Sequence, residues 1–120
     1  MNLSIDSRVD DVCQLSLSGE ITKTVVASHQ DPFSQLLGQD ELNLTILLSL
    51  EHAKYINSSG IGWLIETNKK IREAGGILVL HSLPPDIQSI FVIMRLEKVF
   101  TLAKDLECAQ VAAKAGKGNG

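Results

Sequence analysis

The chain has 120 residues, the length of one domain, and its 44% hydrophobic content can fill a single continuous core. With only 4% aromatic residues, Leu, Ile, Val and Ala must do that filling. The net charge of −3, from 11 basic and 14 acidic residues without a Lys/Arg cluster, argues against nucleic acid as the main partner. The opening MNLSIDSRVDD lacks a signal peptide's basic start and apolar stretch, and no apolar run nears the ~20 residues of a membrane span.

Residues 2–8 and the segment VCQLSLSG, Val12 to Gly19, read as a hairpin of two strands turning at Asp10-Asp11. In the second strand Cys13, Leu15 and Leu17 share one face, and Val12, Gln14 and Ser16 the other. EITKTVVAS, from Glu20, is rich in β-branched residues and is ambiguous between strand and loop. DPFSQLLG predicts a short helix, with Asp31 as cap, Pro32 in the first turn and Gly38 as stop.

LNLTILLSL, Leu42 to Leu50, is the short, mostly apolar run of a strand buried on both faces, as in a parallel sheet. A helix is predicted from Ser58 to Ala74, stopped by Gly75-Gly76, with Ile61, Leu64, Ile65 and Ile71 on one side. ILVLH at 77–81 is the next buried strand and SLPPD a loop. In DIQSIFVIMRL, Ile87, Ile90, Phe91 and Met94 recur at helical spacing and read as a core stripe. VFTLA at 99–103 reads as a short edge strand, and Asp105 as the cap of a last helix, LECAQVAAKA. This organisation, a hairpin followed by strand–helix alternation, predicts an α/β layer fold. It is expected to form one domain over residues 1–115, with GKGNG at 116–120 as a disordered tail or an addition to the natural chain.

The informative junction is YINSSGIGW, Tyr55 to Trp63, between an apolar run and a helix. It admits three readings. The serines and Asn57 can cap the helix, with Gly60 and Gly62 allowing it to pack close to the sheet. The loop can cradle a phosphate, although Ile65 stands where a dinucleotide fingerprint needs its third glycine and there is no Walker lysine. Or Ser58 can itself receive a phosphate. About −1.5 to −2 charges at the positive end of a helix are tolerated by the fold. A partner docked on the same spot would be repelled.

GEI at 19–21, ILLSL at 46–50, INSSGIG at 56–62 and GGILVLHSLPPDIQSIFVIMRLEKVF at 75–100 together resemble a STAS domain of the anti-sigma factor antagonist branch, over roughly residues 8–112. In that family the central motif usually reads like V-x-L-D-L-S-x-V-x-x-I-D-S-S-G-L. The resemblance implies a mixed sheet of four to five strands with helices packed mainly on one face. It implies no enzymatic activity, no catalytic residue, no metal and no cofactor.

It also implies a cytoplasmic partner switch. The unmodified protein binds a serine kinase that doubles as an anti-sigma factor, the kinase phosphorylates the first serine of S-S-G, here Ser58, and a phosphatase resets it. A partner would engage Asn57, Ser58, Ser59, Gly60 and Trp63. A scaffolding or adaptor role, stressosome-like or transporter-associated, is the alternative, with Ser58 only part of a cap. Three positions depart from the pattern: Asn57, Ser49 and Thr22 each stand where the family usually carries Asp. In the family those acids lie near the phosphorylated loop. Their loss bears on kinase recognition, and it leaves less negative charge for a phosphate to meet. The stretch from Gly19 to Ser49 is a few residues longer than usual, with a shorter first helix.

Trp63, the only tryptophan, falls opposite Ile61, Leu64 and Ile65 on a helical wheel, beside Glu66, Thr67 and Lys70. There it is either an interface anchor or a residue covered by a neighbouring loop. His29, His52 and His81 have no ligand spacing and read as surface or strand-end residues. Cys13 and Cys108 read as small packing residues, reduced in a cytosolic setting, with one bridge between them left open.

Overall fold

The structure is a computed structural model that describes residues 2–9, 12–22 and 44–118. β1 (Asn2–Val9) and β2 (Val12–Ile21) pair antiparallel, Val9 opposite Val12 and Asn2 opposite Ser18, with a bulge between Ile5 and Ser7. The alternation read from the sequence holds: Cys13, Leu15 and Leu17 are fully buried, and Gln14 and Ser16 half-buried. Asp10 and Asp11, the segment from residue 23 to 43 and with it the expected helix at 31–38, lie outside the described residues.

β3 (Thr45–Ser49), β5 (Ile77–His81) and β6 (Thr101–Ala103) run parallel to β2 in the order β1-β2-β3-β5-β6. β6 is an edge, as expected. β3 and β5 are buried on both faces, so they read as continuous apolar runs. Ile46, Leu48, Leu78 and Leu80 face the main core. Leu47 and Val79, half a pleat away, face a second, smaller cluster with Ala109 and Ala113.

α1 (Ser58–Glu73) and α2 (Pro85–Ile93) contribute to the main core. α3 (Leu106–Gly118) covers the other face. The sheet therefore has most of its described helical cover on one side, as expected. Among the described residues it has six strands, one more than the upper end of the expected four to five. The extra one is β4 (Ala53–Ile56), which pairs in parallel with the last residues of β2, Ile21 opposite Ile56. Its burial runs buried, exposed, exposed, buried over four residues, so it shows no period-two signal.

α1 ends as the Gly75-Gly76 pair predicts. The N–H of Gly76 bonds the carbonyl of Ile71 at 2.8 Å and that of Gly75 the carbonyl of Arg72 at 3.0 Å. Gly75 sits at φ +89°, so the motif is a Schellman cap that needs glycine. At the start of α3, Asp105 Oδ1 accepts the Cys108 N–H at 2.9 Å, as read from the sequence. The helix continues to Gly118, beyond the Ala115 end expected for it.

Two periodicity readings are corrected. Ile65 is 37% exposed and Met94 49%, while Ile87 and Phe91 are buried. Met94 follows the last turn of α2, where the chain leaves the helix through Arg95 at φ +57°. Both cysteines are free: Cys13 is buried and Cys108 exposed, so they form no bridge. His81 ends its strand as expected, but it is buried rather than on the surface.

Candidate functional site

The YINSSGIGW junction forms where β4 meets α1, beside the end of β2. β4 buries Ile56 and then releases the chain at Asn57, whose backbone is extended (φ −118°, ψ −179°). Asn57 is the helix cap. Its Oδ1 accepts the Gly60 N–H at 3.0 Å and the Ser59 hydroxyl at 2.7 Å, and its carbonyl accepts the Ile61 N–H at 3.0 Å. One neutral side chain thus satisfies an orphan donor of the first turn and fixes the next serine but one.

The two serines consequently differ. Ser59 is half-buried and bonded into the cap. Ser58 is exposed at the first helical position, and the first turn of α1 carries no acidic residue. Its hydroxyl lies at the positive end of a 16-residue helix, where added negative charge is favoured.

Gly60 is not a surface residue. A Cβ there would lie 2.0 Å from the Ile21 carbonyl oxygen and 2.7 Å from its carbon. Glycine is therefore required by the approach of α1 to β2. Gly62 has open space instead. The packing role foreseen for the two glycines falls to Gly60 alone.

Trp63 is 5% exposed and belongs to the main core, so its expected place on the polar face is corrected. Thr67 and Asn68, also drawn as polar-side residues or left unassigned, are buried as well. The Thr67 hydroxyl bonds the Trp63 carbonyl at 2.9 Å, and Asn68 Nδ2 donates to the Val99 carbonyl at 3.2 Å. These internal bonds let polar side chains share the inner face, so polarity misassigned the wheel.

Ile65 is exposed instead. It stands seven residues after Ser58 and three after Gly62, and this spacing places the three on one stripe of α1. Tyr55, 49% exposed and opposite Glu20 in the β2–β4 pairing, is a further large side chain beside the site. Tyr55 was not singled out from the sequence, and Ile65 was read there as a core-side residue and as the residue in place of a third glycine. For Ile65 the i, i+4, i+7 spacing from Ser58 was the available signal.

Of the three positions that lack the family's acids, two lie at this end. Thr22 follows Ile21 and Asn57 follows Ile56, its register partner. Ser49 is set back. It pairs with Ser16, five β2 residues before Ile21, or roughly 16 Å along the strand. Its Oγ accepts the Glu51 N–H at 3.3 Å. Among the described residues no group of three or more His, Cys, Asp or Glu could hold a metal ion, and no helix is long and apolar enough to cross a membrane.

A parallel-rich sheet with an antiparallel first strand, and an exposed serine opening the helix after a short strand, define the class. The chain belongs to the STAS domain family, whose model matches residues 5–109. It is 28% identical over 115 residues to BtrV of Bordetella bronchiseptica, a provisionally assigned anti-sigma factor antagonist, covering 95% of this chain and 96% of BtrV. It is also similar in structure to a provisionally assigned anti-sigma factor antagonist of Thermotoga maritima. There the TM-score is 0.75 and the identity 21%, covering 93% of this chain and 94% of the other. The Bacillus cell fate determinant SpoIIAA in its phosphorylated form is likewise similar, at a TM-score of 0.62 and 19% identity over 88% of this chain and 95% of that one. At these structural identities the likeness carries the fold.

Proposed function

We propose that the protein is a non-enzymatic partner switch of the cytoplasm, an anti-sigma factor antagonist. In this reading it binds a serine kinase that is also an anti-sigma factor, releases the sigma factor, and is turned off by phosphorylation at Ser58. A phosphatase restores it. The observation that carries the reading is the inequality of the two serines: Ser58 is exposed at the head of α1, whereas Ser59 is tied to Asn57.

The docking surface is Ser58 with the stripe through Gly62 and Ile65, flanked by Tyr55. Asn57, Ser59 and Gly60 set its shape from below. Trp63 acts as a packing residue beneath it. A dianion on Ser58 gains from the helix's positive end in the free protein, by about 0.3–1 kcal/mol. In a complex it would be desolvated at the interface, which costs far more. Modification then abolishes binding without refolding. The BtrV and SpoIIAA likenesses support this reading.

The test is phosphate mapping by intact mass and peptide sequencing on protein from its own host, paired with Ser58→Asp. The variant is expected to keep the wild-type melting temperature and to lose affinity for the kinase. Wild-type affinity in Ser58→Asp, or no phosphate at Ser58 under any growth or stress condition, would turn the reading to a scaffold or adaptor module.

A further inference from the structure

α2 is apolar on both sides. Ile87 and Phe91 are buried in the main core, and Ile90 packs against it. On the opposite side Val92 is 57% exposed and Ile93 79%, and Met94 follows, exposed as well. Pro85, Gln88, Ser89, Val92 and Ile93, at helical spacing, line an open hollow of about 470 Å3 along this outer face. A helix that is apolar all round is normally buried all round. The exposed side of α1 shows the ordinary solvated alternative, with Glu66, Lys69, Lys70 and Glu73.

The hollow suits close packing. Ser89 at its centre is small, and its hydroxyl donates to the Pro85 carbonyl at 2.9 Å, so it needs no partner from outside the helix. Charge brackets the apolar middle. Asp86 lies in the first turn and Arg95 just after the last, both exposed. Glu97 and Lys98 in the following turn add no net charge. A two-fold axis passing between Ser89 and Val92 sets a second α2 antiparallel on the first. It brings Ser89 against Val92 and Gln88 against Ile93 of the second copy, and each Asp86 to the other copy's Arg95. Positions 86 and 95 are roughly 13 Å apart along the helix axis, so a shallow crossing of about 20° keeps both charge pairs in reach. The opposed helix dipoles favour the same arrangement. A lipid surface, by contrast, is met by a cationic rim, which Asp86 and Arg95 do not form.

We propose that the outer face of α2 is a self-complementary docking surface through which two copies of this chain form a two-fold dimer. Val92 and Ile93 supply its apolar centre, and the two Asp86–Arg95 pairs at its rim fix the antiparallel sense. The face contains none of Ser58, Gly62 and Ile65, so it stands apart from the switch surface proposed above. A patch on one nine-residue helix falls short of the roughly 800 Å2 per partner of a standard interface, so the dimer is expected to be weak, with a Kd on the order of tens of micromolar.

The test is analytical ultracentrifugation of the whole chain from micromolar to millimolar concentration. The weight-average mass is expected to rise from one chain towards two. In Ile93→Glu it is expected to stay at one chain throughout, with the wild-type melting temperature, because the side chain is exposed. Asp86→Arg and Arg95→Asp are each expected to weaken the dimer about tenfold by setting like charges opposite one another, and together to restore it to within about threefold of wild type. Arg95 sits at φ +57°, a conformation that Asp adopts more readily than most residues, so the exchange does not strain the turn. The proposal is overturned by a wild type that stays monomeric at millimolar concentration, by undiminished dimerisation in Ile93→Glu or in both single charge variants, or by failure of the double exchange to restore the dimer. A monomeric wild type whose kinase binding is lost in Ile93→Glu would also overturn it and give the face to that partner.

Discussion

Gly60 and Gly62 provide a matched pair of perturbations, two residues apart in one helix, for which the structure requires opposite signs. An alanine at 60 would place its Cβ 2.0 Å from the Ile21 carbonyl oxygen, about 1 Å inside the closest approach such atoms make. That oxygen is backbone at the end of β2, where Ile21 pairs with Ile56, so it cannot turn aside. The helix must lift, and a gap of 0.5–1 Å forfeits roughly a quarter to a half of each dispersion contact it opens. Overpacking of this kind costs about 1–3 kcal/mol and sometimes more, and a backbone clash puts it at or above the top of that range. Alanine's higher helix propensity returns about 0.8–1 kcal/mol.

The net expectation for Gly60→Ala is a loss of about 2–3 kcal/mol. Gly62→Ala meets open space, so only the propensity acts, and a gain of about 0.5–1 kcal/mol is expected. Urea denaturation followed by circular dichroism reads both, with m unchanged. The melting temperatures of the two variants should differ by roughly 10–15 °C for a chain of this length. A Gly60→Ala variant as stable as wild type, or a Gly62→Ala variant equally destabilised, would refute the close approach of α1 to β2. The site geometry would fall with it.

Trp63→Ala is expected to cost about 3–5 kcal/mol, the usual range for a buried aromatic, and the wild-type tryptophan fluorescence should be that of a shielded indole. Loss of partner binding at unchanged stability would put Trp63 back on the interface. A thiol reagent under native conditions should modify Cys108 and spare Cys13, with both reacting in denaturant. Cys108 should react slowly for an exposed thiol, because the Asp105 carboxylate raises its pKa. Asp105→Asn should therefore speed its labelling near pH 8, and no change would mean that the two side chains do not interact.

The strands β2, β3 and β5 were legible because burial on one or both faces leaves a period-two or continuous apolar pattern, and the ends of α1 because Asn57 and Gly75-Gly76 are local signals. β4 was not, since Lys54 and Tyr55 are both exposed in a four-residue strand held by pairing with β2. The inner face of α1 was half misread for a tertiary reason. Thr67 and Asn68 are buried because their bonds close within the fold, to Trp63 and Val99, and a wheel weighted by polarity cannot see partners 31 residues away. Ser58 was legible as a candidate from the motif. The motif also set it apart from Ser59 by position, but the physical difference between the two was not legible, because it depends on which hydroxyl Asn57 captures.

That capture also bears on the missing acids. An Asp at 57 could accept the same two bonds from Ser59 and Gly60, and its charge would favour the unmodified helix end. Asn57 keeps the geometry and drops the charge. The difference reverses sign when Ser58 carries a phosphate, since a carboxylate on the adjacent residue would then face nearly two like charges. Even in water, at a separation of several ångströms, that repulsion is on the order of 1 kcal/mol. It is comparable to what the helix's positive end returns. With Asn57 and the neighbouring Thr22 both neutral, the modified state keeps the whole of that return. The same substitutions remove carboxylates that a partner's basic groups could have used for docking. In the proposed switch, recognition of the unmodified form then leans on shape, through Gly62 and the exposed Ile65.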